Sequence, residues 1–190
     1  MLTINVDEEL QLHLLQMQDG GTLFQLVQDN REHFRRWLPW VDSIVSPVQY
    51  QSIISSWLRQ YYDNNGFHLG IRYRHHLIGV IGLHSIDWFN KQTSIGYYLG
   101  KGFEGKGIMT RSLKVLLDYL FRYLHLHRVE IRCGINNHKS RAIPSRLGFK
   151  EEGIIRDGEF LYDHYHDLVV YGMLSNDWKE NKNIQSTFQY

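Results

Sequence analysis

The stretch GKGFEGKGIMT, Gly100 to Thr110, nearly spells a Walker phosphate loop, with Gly100, Gly105 and Lys106 in register. The next residue is Gly107, so the hydroxyl that such a loop uses to hold magnesium is missing. What remains can still hold an anion. The first amides of a helix lack internal partners and carry partial positive charge. Gly105 and Gly107 have no β-carbon, so phosphate oxygens can approach the backbone, and Lys106 adds a point charge at the same end. A glycine cluster between a strand and a helix also serves as a plain turn, and the loop by itself leaves both readings open.

Other reactive side chains exclude more than they suggest. Cys133 is the single cysteine and sits in an apolar run, which excludes an intrachain disulfide and a cysteine zinc site and reads as a small buried residue. His125 with His127, and His164 with His166, are spaced to share one side of a strand, but neither pair has an evident third ligand, so no metal is expected. Trp37, Trp40, Trp57 and Trp88 read mainly as core residues.

The elements that must carry these residues follow from periodicity and punctuation. MLTINV and LQLHLLQM read as short extended segments, and a helix is expected from about Thr22 to Trp37, ending at Leu38-Pro39. A second helix begins with Ser46 as cap and Pro47 in its first turn. Tyr50, Ile53, Ile54, Trp57, Leu58 and Tyr61 lie on one face, and Asn64-Asn65-Gly66 stops it. FHLGIRY, LIGVIGLHSI and TSIGYYLG then form an antiparallel meander. After Gly107, Leu113, Leu116, Leu117, Leu120, Phe121 and Leu124 mark a long amphipathic helix. RVEIRCGI alternates as a strand, a short helix runs from about Lys139 to Arg146, and Gly148 stops it. Strands over roughly Phe149 to Arg156 and His166 to Leu174 follow, with a polar tail after Trp178 that is expected to fray.

A chain of 190 residues with 43% apolar composition suits one compact domain, and no internal repeat or linker divides it. The 21 basic and 20 acidic residues leave a net charge of +1, which advertises neither nucleic acid nor an anionic membrane as partner. No apolar run reaches transmembrane length and the start lacks a signal-peptide pattern, so a cytoplasmic protein is expected.

Three motifs in order resemble the GNAT superfamily of acetyl-coenzyme A dependent N-acetyltransferases, over about residues 8 to 178. The family loop, [Q/R]-x-x-G-x-[G/A], falls on Glu104 to Met109, where Gly107 fits and Glu104 and Met109 depart. IGYYL running into GFEGKGIMT is similar to the RimJ/RimL-type ribosomal-protein N-terminal acetyltransferases, in which a G-K-G-I core is common. NHKSRAIPSRLGFKEEG, Asn137 to Gly153, is similar to their N-x-x-S and L-G-F-x-x-E-G segments, and EFLYDHYHD, Glu159 to Asp167, to their E-[YF]-L and Y-H-D segment.

The resemblance implies an α/β domain, with a mixed, mainly antiparallel sheet of about seven strands splayed at the cofactor and about four flanking helices. It places the backbone of Tyr97, Tyr98 and Leu99 along the pantetheine arm, with the Leu99 amide near the thioester oxygen. The side chains of Tyr97 and Tyr98 read as ordinary alternating strand residues. Gly105, Lys106, Gly107, Ile108, Met109 and Thr110 would take the pyrophosphate, Asn137 the pantetheine chain, and Ser140 the departing sulfur. A helix cap is the competing reading for Asn137 and Ser140. Many GNAT enzymes use a tyrosine further along this segment, but the corresponding turn carries Pro144 and leaves Ser140 as candidate acid. Glu159 would be the base, against a solvated glutamate beside Asp157 and Asp163, with His166-Asp167 ordering its loop. Trp37 to Trp40 fall where this fold shapes the acceptor groove.

The implied reaction is direct acetyl transfer from acetyl-coenzyme A to the N-terminal α-amine of a protein, perhaps a ribosomal one. A polyamine, amino sugar or amino-acid-like toxin as acceptor, or a non-catalytic coenzyme A binder, are the rival readings. A homodimer through exposed strands or helices suits this branch. An α-amine, with a reference pKa of about 8 against about 10.4 for lysine, needs only a modest base at neutral pH.

Overall fold

A computed structural model describes residues 2–179. The tail that follows lies outside the described residues. The chain forms one sheet in the order β1-β2-β3-β4-β5-β6-β8-β7. Its strands are β1 (Thr3–Asn5), β2 (Leu10–Leu14), β3 (His68–Tyr73), β4 (His76–Asp87), β5 (Gln92–Leu99), β6 (Arg128–Gly134), β7 (Lys150–Leu161) and β8 (His164–Leu174). Among the described residues there are eight strands against the expected about seven, the three-residue β1 pairing with β2. Neighbours are antiparallel except β5 and β6, which run parallel as a helical crossover requires.

Five α-helices are complete: α1 (Gly20–Asp29), α2 (Arg31–Arg35), α3 (Pro47–Tyr62), α4 (Ile108–Arg122) and α5 (His138–Arg146), while residues 175–179 are also helical. The expected single helix from Thr22 to Trp37 is two helices, broken at Asn30. There the backbone turns to φ −120°, the side-chain amide donates to Leu26 O at 2.8 Å, and its oxygen accepts from Lys101 N at 2.9 Å. Side-chain bonding of this kind competes with the helix ladder and ties α1 to the start of the glycine loop. At α3 the expected cap holds, with Ser46 and Gln49 in a capping box and Pro47 in the first turn.

Two cores lie on opposite faces of the sheet. On one face Leu113, Leu116, Leu117 and Leu120 of α4 pack against Ile95, Val129, Ile131 and Cys133. On the other, Leu23, Val27, Phe34 and Ile54 of α1 to α3 cover Leu77 and Val80. Of the tryptophans expected as core, Trp40 and Trp57 are partly buried against the second core, Trp37 is partly buried and Trp88 is exposed. Trp57 stacks on His68 with ring centroids 4.3 Å apart, and Trp88, 40% exposed, donates to Asn64 O. The fully enclosed tryptophan is Trp178. No helix among the described residues is long and apolar enough to cross a membrane.

Candidate active site

β5 and β6 pair only over Gln92–Arg128, Thr93–Val129 and Ser94–Glu130, whereas β5 stays paired to β4 as far as Leu99. From Ile95 onward a gap therefore opens between two central strands. Gly100 N donates to Ile78 O at 2.8 Å on the β4 side, so strand alternation turns the Leu99 N–H the other way, into the gap. The backbone of Tyr97, Tyr98 and Leu99 borders this opening.

The glycine loop closes one end of the gap. Gly105 (φ 74°) and Gly107 (φ 69°) adopt left-handed conformations that favour glycine, and Gly107 is the N-cap of α4 without a side-chain cap. A β-carbon at either position would meet nothing within 4 Å, so the backbone there is open to an approaching anion. The side chains of Ile108 and Met109 are buried in the core, which leaves their amides as the groups presented to the loop. Lys106 Nζ lies 5.3 Å from the centre of the Phe103 ring. Thr110 Oγ1 accepts from Arg146 at 3.4 Å.

Sequence reasoning missed the part played by Glu104. Its carboxylate meets His33 Nε2 at 3.1 Å and Lys139 Nζ at 2.7 Å, joining α2, the loop and α5. The departure from Gln or Arg at this position was the one available signal; the partners are too distant in sequence for spacing to reveal them.

On the α4 face of the gap, α5 brings Ser140 against β5 and β6. The N-cap is Asn137, whose Oδ1 accepts from Ser140 N at 3.2 Å. Ser140 is therefore not a cap. Its hydroxyl donates to the Tyr97 hydroxyl at 3.4 Å and lies 3.3 Å from Cys133 Sγ, while the Tyr97 hydroxyl donates to Ser140 O at 3.1 Å. Tyr97 thus does more than alternate along a strand: it meets the candidate acid. Burial holds the Tyr97 phenol well above its usual range and also raises the Cys133 thiol, so both stay protonated near neutral pH. Tyr98 points to the opposite face, where its ring packs edge-on to Phe34 at 5.2 Å and tilted to Trp40 at 5.5 Å.

On that opposite face lies Glu159. It is the register partner of His166 across β7 and β8, and its Oε2 is 2.9 Å from His166 Nε2. β7 runs further than expected because a bulge between Ile155 and Glu159 absorbs Arg156, Asp157 and Gly158. Asp167 Oδ1 accepts from Asp157 N at 2.9 Å and holds that bulge. A β-carbon on Gly134 would stand 2.9 Å from His166 Cε1 and 3.5 Å from Trp37 Cε3, so the missing side chain lets both rings close over β6. Tyr162, between β7 and β8, donates to Leu38 O at 2.6 Å and stacks under Arg35, which brings the hairpin onto the segment after α2. Cys133 and Gly134, like Tyr97 and Tyr98, are adjacent residues on opposite faces of one strand. The gap thus joins a Ser140 side to a Glu159 side.

Among the described residues no group of three His, Cys, Asp or Glu side chains could hold a metal ion. The domain described as Acetyltransferase (GNAT) domain matches residues 9–150. The chain is 40% identical over 183 residues, 96% of its length and 100% of the relative's, to a putative ribosomal N-acetyltransferase, YdaF, of Bacillus subtilis (strain 168). It is 29% identical to the ribosomal-protein-serine acetyltransferase of Escherichia coli (strain K12), over 90% of this chain and 96% of the relative. Among solved structures, RimL, a ribosomal L7/L12 alpha-N-protein acetyltransferase in complex with coenzyme A through a cysteine disulfide, superimposes with a TM-score of 0.89. It is 27% identical, and the match covers 93% of this chain and 99% of that one. With its splayed sheet, its uncapped glycine loop and relatives that align along nearly its whole length, the chain belongs to the GNAT family of acetyl-coenzyme A dependent N-acetyltransferases.

Proposed function

We propose that this enzyme acetylates the N-terminal α-amine of a protein, with ribosomal proteins as the substrate class. The observation that carries this reading is the gap between β5 and β6, with Ser140 and Tyr97 on one face and the Glu159–His166 pair beside Trp37 on the other. Two sides allow a ternary complex. The cofactor's pyrophosphate rests on the amides from Gly105 to Thr110, with Lys106 adding charge, and the pantetheine arm passes Asn137 and the backbone of Tyr97 to Leu99. The amine approaches from the face of Glu159.

Neutral amine attacks the thioester carbonyl, and the Leu99 amide steadies the oxygen as it gains charge. Collapse expels the thiolate, which receives a proton by way of Ser140, and the acetyl group leaves on nitrogen. The Glu159–His166 pair supplies the basic site on the acceptor side. One modest base suits an α-amine, which is partly neutral at pH 7, better than a lysine side chain. Burial raises the Cys133 thiol, which disfavours the thiolate that an acyl-enzyme route would need. Relatives named for ribosomal-protein acetylation support the acceptor class, and the cytoplasm is the setting that suits it.

The test compares coenzyme A release with peptides bearing free N-terminal serine or alanine against a panel of polyamines, amino sugars and amino acids. The expected outcome is a higher kcat/KM for the peptides. Preference for a small amine overturns the acceptor assignment.

A further inference from the structure

Glu159 and His166 are more than neighbours. An ionised carboxylate can only accept hydrogen bonds, so the 2.9 Å contact between Glu159 Oε2 and His166 Nε2 assigns a ring proton to Nε2, and in the neutral tautomer the lone pair is then on Nδ1. Among the described residues, no group is hydrogen-bonded to Nδ1. The Nδ1–Cε1 edge lies over Gly134, at 3.1 and 2.9 Å from where a β-carbon would stand. Gly134 is the last residue of β6, beyond the last residue that pairs with β5. His166 is nearly enclosed, with a side chain 12% exposed against 33% for Glu159. The ring, rather than the carboxylate, is the group held in one place.

Resting on the acetyl transfer proposed above, we propose that His166 Nδ1 takes the proton from the acceptor nitrogen, while Glu159 positions the imidazole through Nε2. The nitrogen lone pair forms the C–N bond to the thioester carbon and leaves a cationic nitrogen. Nδ1 removes one proton from it, giving an imidazolium stabilised by the Glu159 carboxylate. The C–S bond then breaks with its electron pair on sulfur, the thiolate is protonated on the Ser140 side, and the imidazolium returns its proton to solvent. One amide and one thiol result from one amine and one thioester.

The groups that face the ring are few. Glu159 faces it from β7 and His164 from β8, with ring centroids 6.4 Å apart, and His164 is itself paired to Asp163 at 2.6 Å. Gly134 from β6 and Trp37 from the segment after α2 do not titrate. Glu159 is the nearest charge and the one whose removal the ring must feel.

The kinetic test is the pH profile of kcat/KM, measured with whichever acceptor of the panel is turned over best, for the wild-type enzyme, His166→Gln and Glu159→Gln. Gln at 166 can still donate to Glu159 but cannot take a proton. We expect His166→Gln to lose about 10²-fold at pH 7 with unchanged acetyl-coenzyme A affinity, and to lose the acid limb of the profile. Glu159→Gln keeps that limb at a reduced kcat/KM, because the imidazole has lost the carboxylate that orients it. If instead Glu159→Gln abolishes the limb and His166→Gln preserves it, the carboxylate is the base and the proposal is overturned.

A second measurement needs no turnover. Nitrogen-15 NMR of the neutral ring should report Nε2–H with Nδ1 unprotonated, and loss of that single tautomer in Glu159→Gln. A proton on Nδ1 of the neutral ring, or a tautomer indifferent to that substitution, overturns the dyad. If small amines are acetylated while peptides are not, the acceptor assignment fails and the dyad is judged on the same profiles.

Discussion

Ser140 sits at the third position of α5, where a hydroxyl can be mistaken for a cap. Asn137 fills that role by accepting the Ser140 amide, so the serine hydroxyl is released toward Cys133 and Tyr97 at the edge of the gap. The two residues should therefore respond differently to truncation. Ser140→Ala should lower turnover by about 10²-fold while acetyl-coenzyme A affinity and melting temperature change little, since its work falls in the bond-breaking step. Asn137→Ala should lose about 1 kcal/mol of stability through the missing cap, besides any loosening of the pantetheine arm. Thermal denaturation beside steady-state kinetics checks both. A Ser140→Ala protein with a lowered melting temperature and normal turnover would return the serine to a structural role.

At the scale of elements, the site rests on a helix that begins without a side-chain cap. Gly107 stands there at φ 69°, with no atom near the position of a β-carbon. Asn and Asp both visit this left-handed region, so they separate geometry from charge. Gly107→Asn should weaken acetyl-coenzyme A binding modestly, and Gly107→Asp about 10²-fold further, because a carboxylate then occupies the anion's place beside the uncapped amides. Calorimetry on the folded variants decides it; equal affinities for the two would remove the pyrophosphate from this helix end. The loop and α4 were legible in the sequence because glycine punctuation and a leucine period are local signals. The opening between β5 and β6 was reached only by resemblance. It depends on how two strands separated by the whole of α4 diverge, and no short-range pattern encodes that. The break at Asn30 escaped notice for a related reason, since one of its two side-chain hydrogen bonds comes from Lys101 in another element. Motif resemblance named Glu159 and had His166-Asp167 order its loop, but the direct pairing of the Glu159 carboxylate with the His166 ring became visible only through the β7–β8 register.

In the function proposed above, α4 and α5 carry the cofactor, and α1 to α3 with the β7–β8 hairpin frame the acceptor. The central sheet keeps the two in register, but the hairpin reaches past the gap and meets the segment after α2 through one short hydrogen bond, Tyr162 to Leu38 O at 2.6 Å. Arg35 lies 4.0 Å from the centre of the Tyr162 ring and adds a cation–π contact to the same joint. Tyr162→Phe keeps the ring and its contact with Arg35 and deletes only the hydroxyl. An ordinary hydrogen bond contributes about 0.5–1.5 kcal/mol, so global stability should fall by no more than that. The larger effect should be on the acceptor: with the hairpin less firmly seated, Glu159 and His166 sit less steadily opposite Trp37, and acceptor KM should rise several-fold while acetyl-coenzyme A affinity is unchanged. Bisubstrate kinetics with a peptide acceptor, beside calorimetry with the cofactor, makes the comparison. Equal weakening of both substrates would mean that the joint supports the sheet as a whole, and an unchanged acceptor KM would show that the hairpin is positioned by β8 alone.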